Sequence, residues 1–224
     1  MYLLDLFSGI GGAGVGYSRA GFKVVGVDKQ WMPEYPFPYY RQDALKFMER
    51  FLEDGNTING EPVDAIHASP PCKKFSTISK SLGYDSHTDL LTPIREMLVE
   101  SGLPYIIENV PGAPMRNPIM LCGSMFELRI ERGYLQRHRL FESNIMLQMP
   151  RPCRHEGQAI GVYGNGRGGG PLRMRTANAA EAKALMGIDW AGRNGITQAV
   201  PPAYTEYLGK QLANTLQQSA QTLF

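Results

Sequence analysis

The chain has 224 residues, 43% of them hydrophobic and 20% charged, which supports one full core, is short for two, and argues against a disordered chain. No apolar run reaches the roughly 18 residues of a membrane helix, no signal peptide is expected ahead of the first strand-like segment, and three cysteines (Cys72, Cys122, Cys153) argue against a disulfide framework and for a reducing compartment. A net charge of +2, from 23 basic and 21 acidic residues, neither demands nor forbids a nucleic-acid partner.

The elements alternate. An apolar run over 2–7 ends in the glycine cluster SGIGGAGVG, and a short helical stretch stops near Gly21. A second apolar run, 22–27, ends at Asp28 and is followed by the aromatic loop WMPEYPFPYY. Residues 43–54 have the period of an amphipathic helix, with Leu45, Phe47, Met48, Phe51 and Leu52 largely on one face and Gly55 beyond it. A third strand, 63–68, runs into SPPCKKFST. The next helix is expected to start near Thr92-Pro93, where proline is tolerated in a first turn, and to end at Gly102. A fourth strand, 105–107, ends at Glu108-Asn109. Strands and helices at this spacing predict βαβ units and a parallel sheet covered on both faces, an α/β fold. The second half is less regular: a strand over 139–142, a glycine-rich loop over 161–170, an alanine-rich helix over 178–186 closed by Gly187, and a longer helix over 202–218.

Chemistry collects at the strand ends. Gly9, Gly11 and Gly14 fit G-x-G-x-x-G, and Asp28 stands 19 positions after Gly9, where an acid that binds a ribose is expected. By itself this suits a nicotinamide enzyme and an S-adenosylmethionine enzyme equally. Pro70 and Pro71 hold φ near −65° and put Cys72 on a stiff corner at the sheet edge where open α/β folds bind ligands. Lys73 and Lys74 add a positive potential that favours the nucleophilic thiolate. Glu108 is a carboxyl group at the same edge, suited to acid–base work. Arg137 and Arg139 alternate onto one face of a strand-like segment, where guanidinium donors could hold a phosphate or a base carbonyl. Cys122, Cys153 and His155 are of metal-ligand type, but a fourth ligand at useful spacing is missing, so no metal is expected.

In order, these segments resemble the DNA (cytosine-5) methyltransferase family. DLFSGIGGAGVG looks like its first motif and SPPCKKFS like its nucleophile motif. ENV at 108–110, 36 residues after Cys72, and RHRLF at 137–141 look like two further catalytic motifs, and TANAAEAKALMGIDW and AVPPAYTEYLGKQL like the closing two. The match runs from residue 1 to about 214. The resemblance implies a Rossmann-like S-adenosylmethionine-dependent methyltransferase fold with a mostly parallel sheet. Its parts would be a core over 1–142, a small target-recognition lobe over 143–175, and helices over 176–224 completing the core.

The resemblance also implies roles. Cys72 would add to C6 of a cytosine swung out of the duplex, and Glu108, protonated, would donate to N3. Arg139 would bind O2, with Arg137 a supporting or phosphate contact. The cofactor S-adenosylmethionine would meet Asp5, Phe7 (against adenine), Gly9, Gly11, Gly12, Asp28 (ribose), Asp43 (adenine amino group) and Pro70. Lys73, Lys74, Ser76, Arg167, Arg173 and Arg175 would face double-stranded DNA, with Arg151 and Arg154 also on phosphates. The protein is expected to be a monomer in the cytoplasm of a bacterial or phage-infected cell, with no membrane or metal partner. Several positions depart from the family pattern: Lys73 in place of glutamine, Leu135 where a glutamine is usual with Gln136 shifted by one, and Thr197-Gln198 in place of glycine-asparagine. The recognition lobe is also short and rich in glycine, which implies short or relaxed sequence specificity. The same core could act on RNA, transfer a group other than methyl, or persist as a binding module without activity.

Overall fold

The computed structural model describes residues 1–71, 89–164 and 174–221. Chain order begins β1 (Tyr2–Leu6), α1 (Gly12–Arg19), β2 (Lys23–Asp28), β3 (Tyr39–Arg41) and α2 (Ala44–Glu53). A hairpin of β4 (Thr57–Ile58) and β5 (Glu61–Pro62) leads to β6 (Ala65–Ala68), α3 (Leu91–Glu100), β7 (Tyr105–Asn109) and β8 (Ile119–Leu121). After a 3₁₀ turn, Gly123–Phe126, come β9 (Arg129–Ile130), β10 (Gly133–Leu135), β11 (Arg139–Ser143) and β12 (Ala159–Gly161). The chain closes with β13 (Arg175–Thr176), α4 (Ala179–Met186), α5 (Arg193–Gln198) and α6 (Pro202–Gln221).

The main sheet has the order β3-β2-β1-β6-β7-β11-β8. The pairs from β3 to β7 are parallel, and β11 is antiparallel to both β7 and β8. The fold is therefore α/β with a mostly parallel central sheet, as the alternation predicted. Period-2 strands send successive side chains to opposite faces. Leu4, Leu6, Val25, Val27, Ile66 and Ile107 pack with Met48 and Phe51 of α2 and Ile94 and Leu98 of α3. Leu3, Val24, Ala65 and Ile106 face the other way, onto Tyr17 of α1 and Tyr204, Leu208 and Leu212 of α6. A second sheet, β13-β12-β10-β9, and helices α4 and α5 enclose a third cluster around Leu135, Ile160, Leu185 and Ile196. That sheet takes strands from both sides of the 142–143 boundary drawn from the sequence.

Element ends differ slightly from the sequence reading, for local reasons. Helix α3 starts at Leu91 because the Asp89 carboxylate accepts from Leu91 N at 3.0 Å and Thr92 Oγ1 at 2.8 Å. Strand β7 runs on through the polar pair Glu108-Asn109, since both buried side chains find partners. Leu135, at a position where the resemblance implies glutamine, is fully buried in the third cluster.

Candidate active site

The carboxyl ends of β1, β2, β6 and β7 lie side by side in the parallel part of the sheet, the edge where open α/β folds bind ligands. After β1, Phe7 holds φ at 57°, outside the range favoured by a side chain of its size. Half-buried, it packs against the cluster under α2 and α3. Gly9 follows at φ 50°, with no described residue within 4 Å of where a side chain would begin, and its N–H donates to Asp28 Oδ2 at 3.0 Å. Gly11 and Gly12 differ. A Cβ on Gly11 would meet Pro36 at 2.8 Å, and one on Gly12 the Val200 carbonyl at 2.4 Å. Gly9 leaves space where a side chain would begin, whereas Gly11 and Gly12 are small so that their own chain can close over them.

Beneath this loop Asp5 is fully buried. Desolvation pushes its carboxyl up to about 7, a hydrogen bond from Tyr35 pulls against that, and Asp28 adds to it. Tyr35 donates to Asp5 Oδ2 at 3.2 Å, while Oδ1 has no partner among the described residues. Tyr35 comes from the aromatic loop after β2, to which the sequence assigned no role, and its ring fills the space above Gly26. Asp43, expected at an adenine amino group, sits ahead of α2, and its Oδ1 accepts from Leu45 N at 3.1 Å and Lys46 N at 3.3 Å. That is a helix N-cap, a position where aspartate is intrinsically favoured.

At the tip of β7, Glu108 is 7% exposed and Arg139 Nε lies 2.8 Å from its Oε1. Desolvation raises the Glu108 carboxyl above its ordinary range against the opposing pull of Arg139, Arg137 and a hydrogen bond from Ser69. Ser69 Oγ is 2.9 Å from His67 Nε2, and His67 Nδ1 is 3.0 Å from the Tyr17 hydroxyl. A neutral imidazole has one donor and one acceptor. One of these two contacts is therefore donated by the ring and the other accepted by it. Pro70 is buried and its carbonyl accepts from the Asn109 amide at 3.2 Å, so the tips of β6 and β7 are tied together. Cys72, Lys73, Lys74 and Ser76 lie outside the described residues, as do Arg167 and Arg173.

Two arginines expected at phosphate are otherwise engaged. Arg137 lies ahead of β11, is fully buried, and donates to the carbonyls of Val162 (2.9 Å), Thr197 (2.8 Å) and Ala199 (2.9 Å). Of the two roles allowed for it, the phosphate contact is ruled out by this burial and the supporting role fits. The contact of Arg137 with Thr197 is to the backbone carbonyl and does not depend on the side chain there. Arg175 forms a two-pronged pair with Glu181, whose carboxylate also accepts from Asn178 N in the capping box of α4. Its guanidinium fork therefore braces a helix start. Arg151 pairs with Glu127 at 2.5 Å, whereas Arg154 is exposed. The sequence also left Cys122, Cys153 and His155 without a fourth ligand, and here the structure corrects it: His138 brings its ring nitrogen into the group.

The sequence profile of the C-5 cytosine-specific DNA methylases matches residues 1–145, from the glycine loop past Glu108 and Arg139. The chain belongs to that family. Among curated relatives, the type II methyltransferase M.AquIA of a Picosynechococcus strain is 29% identical over 122 residues, 49% of this chain and 48% of its own length. The type II methyltransferase M.AgeI of Thalassovita gelatinovora is 30% identical over 123 residues, 50% of this chain and 28% of its own. The chain thus spans no more than about half the length of these two relatives. Among solved structures, a candidate DNA modification methyltransferase encoded within an E. coli prophage superposes with a TM-score of 0.63 at 17% identity, covering 97% of this chain and 99% of that one. Dnmt2 methyltransferase of S. pombe superposes with a TM-score of 0.64 at 13% identity, covering 96% and 99%. At such identities the likeness establishes the fold.

The cofactor of this C-5 methylase is S-adenosylmethionine, and the loop after β1 fits it. Among the described residues, a buried acid with an unpartnered oxygen, a second acid at the end of β2, and one glycine facing open space suit a slender cationic group. No helix among the described residues is long and apolar enough to cross a membrane. Sequence reasoning missed Tyr35, His67 and Ser69. Their signals were faint: a tyrosine in an aromatic loop, and two polar residues at the end of an apolar strand.

Proposed function

We propose that this C-5 methylase methylates cytosine in double-stranded DNA at C5, with short or relaxed sequence specificity. The observation that carries this reading is Glu108: a buried carboxyl, raised in proton affinity, at the strand tip tied through Asn109 to the corner that leads into Cys72. A pyrimidine ring carbon is inaccessible inside a base stack, so the target base must leave the duplex. The Cys72 thiolate then adds to C6, and the ring acquires negative charge. Glu108, carrying its proton on the carboxyl, donates to N3 and offsets that charge. Arg139, paired with Glu108 and reaching the same end of the sheet, directs guanidinium donors toward O2. When bound, S-adenosylmethionine supplies the methyl carbon. Loss of the C5 proton and expulsion of the thiolate regenerate the enzyme.

On the cofactor side, Gly9 would admit the donor to the backbone, Asp28 would accept from ribose hydroxyls, Phe7 would flank adenine, and Asp5 would favour positive charge. Asp43 retains one carboxylate oxygen, Oδ2, for an adenine amino group. The recognition lobe is proposed to span the region around 143–175. Major-groove readout needs several rigid side chains, and residues 144–158 contain no helix or strand. Arg154, Arg167 and Arg173 of that lobe would act on phosphates, a contact sensitive to salt and indifferent to sequence.

Incubation of DNA and of RNA with the protein and labelled donor, followed by mass spectrometry of nucleosides, tests the reaction. The expected product is 5-methylcytosine in DNA; label confined to RNA, or a heavier adduct, would replace this reading. Covalent trapping on 5-fluorocytosine DNA should be lost in Cys72→Ala while DNA binding persists. Bisulfite sequencing of methylated random DNA tests specificity, and a recognised motif longer than about four base pairs would contradict the relaxed reading.

A further inference from the structure

The segment between β11 and β12 has little of its own to hold it. Residues 144–158 contain no regular element, and Met146 and Met149 are exposed. Its far end nevertheless converges on a defined place. Sγ of Cys122 and of Cys153 and ring nitrogens of His138 and His155 all lie within 4.8 Å of one another. They come from three separate stretches of chain: Cys122 from just ahead of the 3₁₀ turn, His138 from the link between β10 and β11, and Cys153 and His155 from the irregular segment itself.

Two separations within the group match the edges of a tetrahedral ion site. With zinc–sulfur bonds of about 2.3 Å and zinc–nitrogen bonds of about 2.05 Å, the sulfur–nitrogen edges of a tetrahedron measure about 3.6 Å. The Cys122 Sγ–His155 Nε2 separation is 3.6 Å and the Cys153 Sγ–His138 Nε2 separation is 3.5 Å, two edges that share no atom. The third close contact, Cys153 Sγ–His155 Nε2 at 2.8 Å, is a thiol–imidazole hydrogen bond. A metal ion would replace its proton and widen it by less than about 1 Å. Ring orientation is also set from outside the group. Tyr134 stacks on His155 with an interplanar angle of 12°, and Ser124 Oγ lies 3.3 Å from Cys153 Sγ. Such outer contacts aim ligands at a shared ion.

Weak thiol hydrogen bonds are a poor reason for four such groups to gather. We propose that Cys122, His138, Cys153 and His155 form a structural zinc site that fastens the 144–158 segment to the stretch carrying Arg137 and Arg139. Two thiols lose their protons to solvent on binding, and the two thiolates neutralise the divalent ion. Four side-chain ligands fill a tetrahedron and leave no open position for a substrate, so the role is structural. Sulfur and imidazole donors without a carboxylate select zinc over magnesium or calcium. A small lobe with few core residues gains from a metal what it cannot gain from apolar burial. This inference stands apart from the methyl-transfer reading, because its readout is metal content.

The full chain purified without chelator should hold about one zinc ion, measured by inductively coupled plasma mass spectrometry. Exchange for cobalt(II) should give the ligand-field bands of a tetrahedral ion together with thiolate-to-cobalt charge transfer. His155 is exposed, so His155→Ala should fold and yet lose zinc to a competing chelator, while His155→Cys, which restores a ligand, and Arg154→Ala, a neighbouring control, should retain it. Wild-type protein refolded with zinc that holds none would overturn the proposal. An octahedral cobalt spectrum, or a disulfide between Cys122 and Cys153 in freshly purified protein, would do the same.

Discussion

The side-chain amide of Asn109 donates to the carbonyl of Pro70 at 3.2 Å, joining positions 39 residues apart. Asn109 is 1% exposed, and its Oδ1 accepts from Val110 N at 2.9 Å. One side chain thus finishes β7 and holds the corner from which Cys72 departs. Asn109→Ala would leave a buried carbonyl unpaired, a loss of about 1–3 kcal/mol, seen as a lower urea midpoint. Because the tether sets the corner against Glu108, kcat should fall more than KM for DNA rises. Asn109→Asp should be worse, as it sets an acceptor against an acceptor. Wild-type turnover in Asn109→Ala would show that the corner is held by other means.

Glu108 is raised by desolvation, so its protonated fraction persists above the usual carboxylate range and falls as pH rises through the elevated value. If it is the donor to N3, kcat/KM should decline along that limb. Glu108→Gln should lose about 10² to 10⁴ in rate and lack the limb altogether. The check is single-turnover transfer of labelled methyl across pH. A variant that keeps the wild-type profile would move the titration to another group. Ser69→Ala removes a hydrogen bond that favours the ionised form, so it should shift the limb to higher pH.

Strands β1, β2, β6 and β7 were legible because strands buried on both faces read as apolar runs ending in glycine, proline or acid. Glu108 was legible for the same reason, as a carboxyl at the end of such a run. Arg137 was not. Strand alternation predicted a shared face with Arg139, but Arg137 precedes β11 and its three carbonyl partners lie 25 to 62 positions on. No local pattern records contacts of that span. His138 was hidden in the same way, inside a motif whose arginines drew attention, and its companions come from two other stretches of chain. Asp43 has a second, local role that the resemblance did not imply: an aspartate just before an amphipathic run is an N-cap signal, and its Oδ1 caps α2.

His67 is fully buried, and desolvation pushes its imidazole down to about 3. The native state keeps it neutral, whereas the unfolded chain takes up a proton below about 6.5. Its contribution to stability is therefore complete above about 6.5 and is lost as pH falls toward 3, by about 1.4 kcal/mol per unit. Asp5 and Glu108, raised by burial, act in the opposite sense, so the test is a difference between proteins. His67→Gln should narrow the gap between urea stabilities at pH 7.5 and pH 5 relative to wild type. An unchanged gap would mean that another group carries the acid sensitivity.

A buried ion pair gives the last expectation. Arg95 on α3 meets Glu142 on β11 through two contacts, at 2.6 and 2.9 Å, with both side chains at most 5% exposed. Arg95 also donates to the Pro114 carbonyl at 3.0 Å, and Arg116 N donates to Glu142 at 2.7 Å. The pair joins a helix under the parallel sheet to the strand that carries Arg139. Glu142→Leu alone would strand a buried guanidinium, and Arg95→Met alone a buried carboxylate. Each should destabilise by about 3–5 kcal/mol. Replacing both with apolar side chains removes both desolvation penalties, so the double variant should lie well above the sum of the single losses. A double-mutant cycle by urea unfolding measures this. Additive losses would mean that the two groups act through separate partners, with Glu142 serving Arg116 alone.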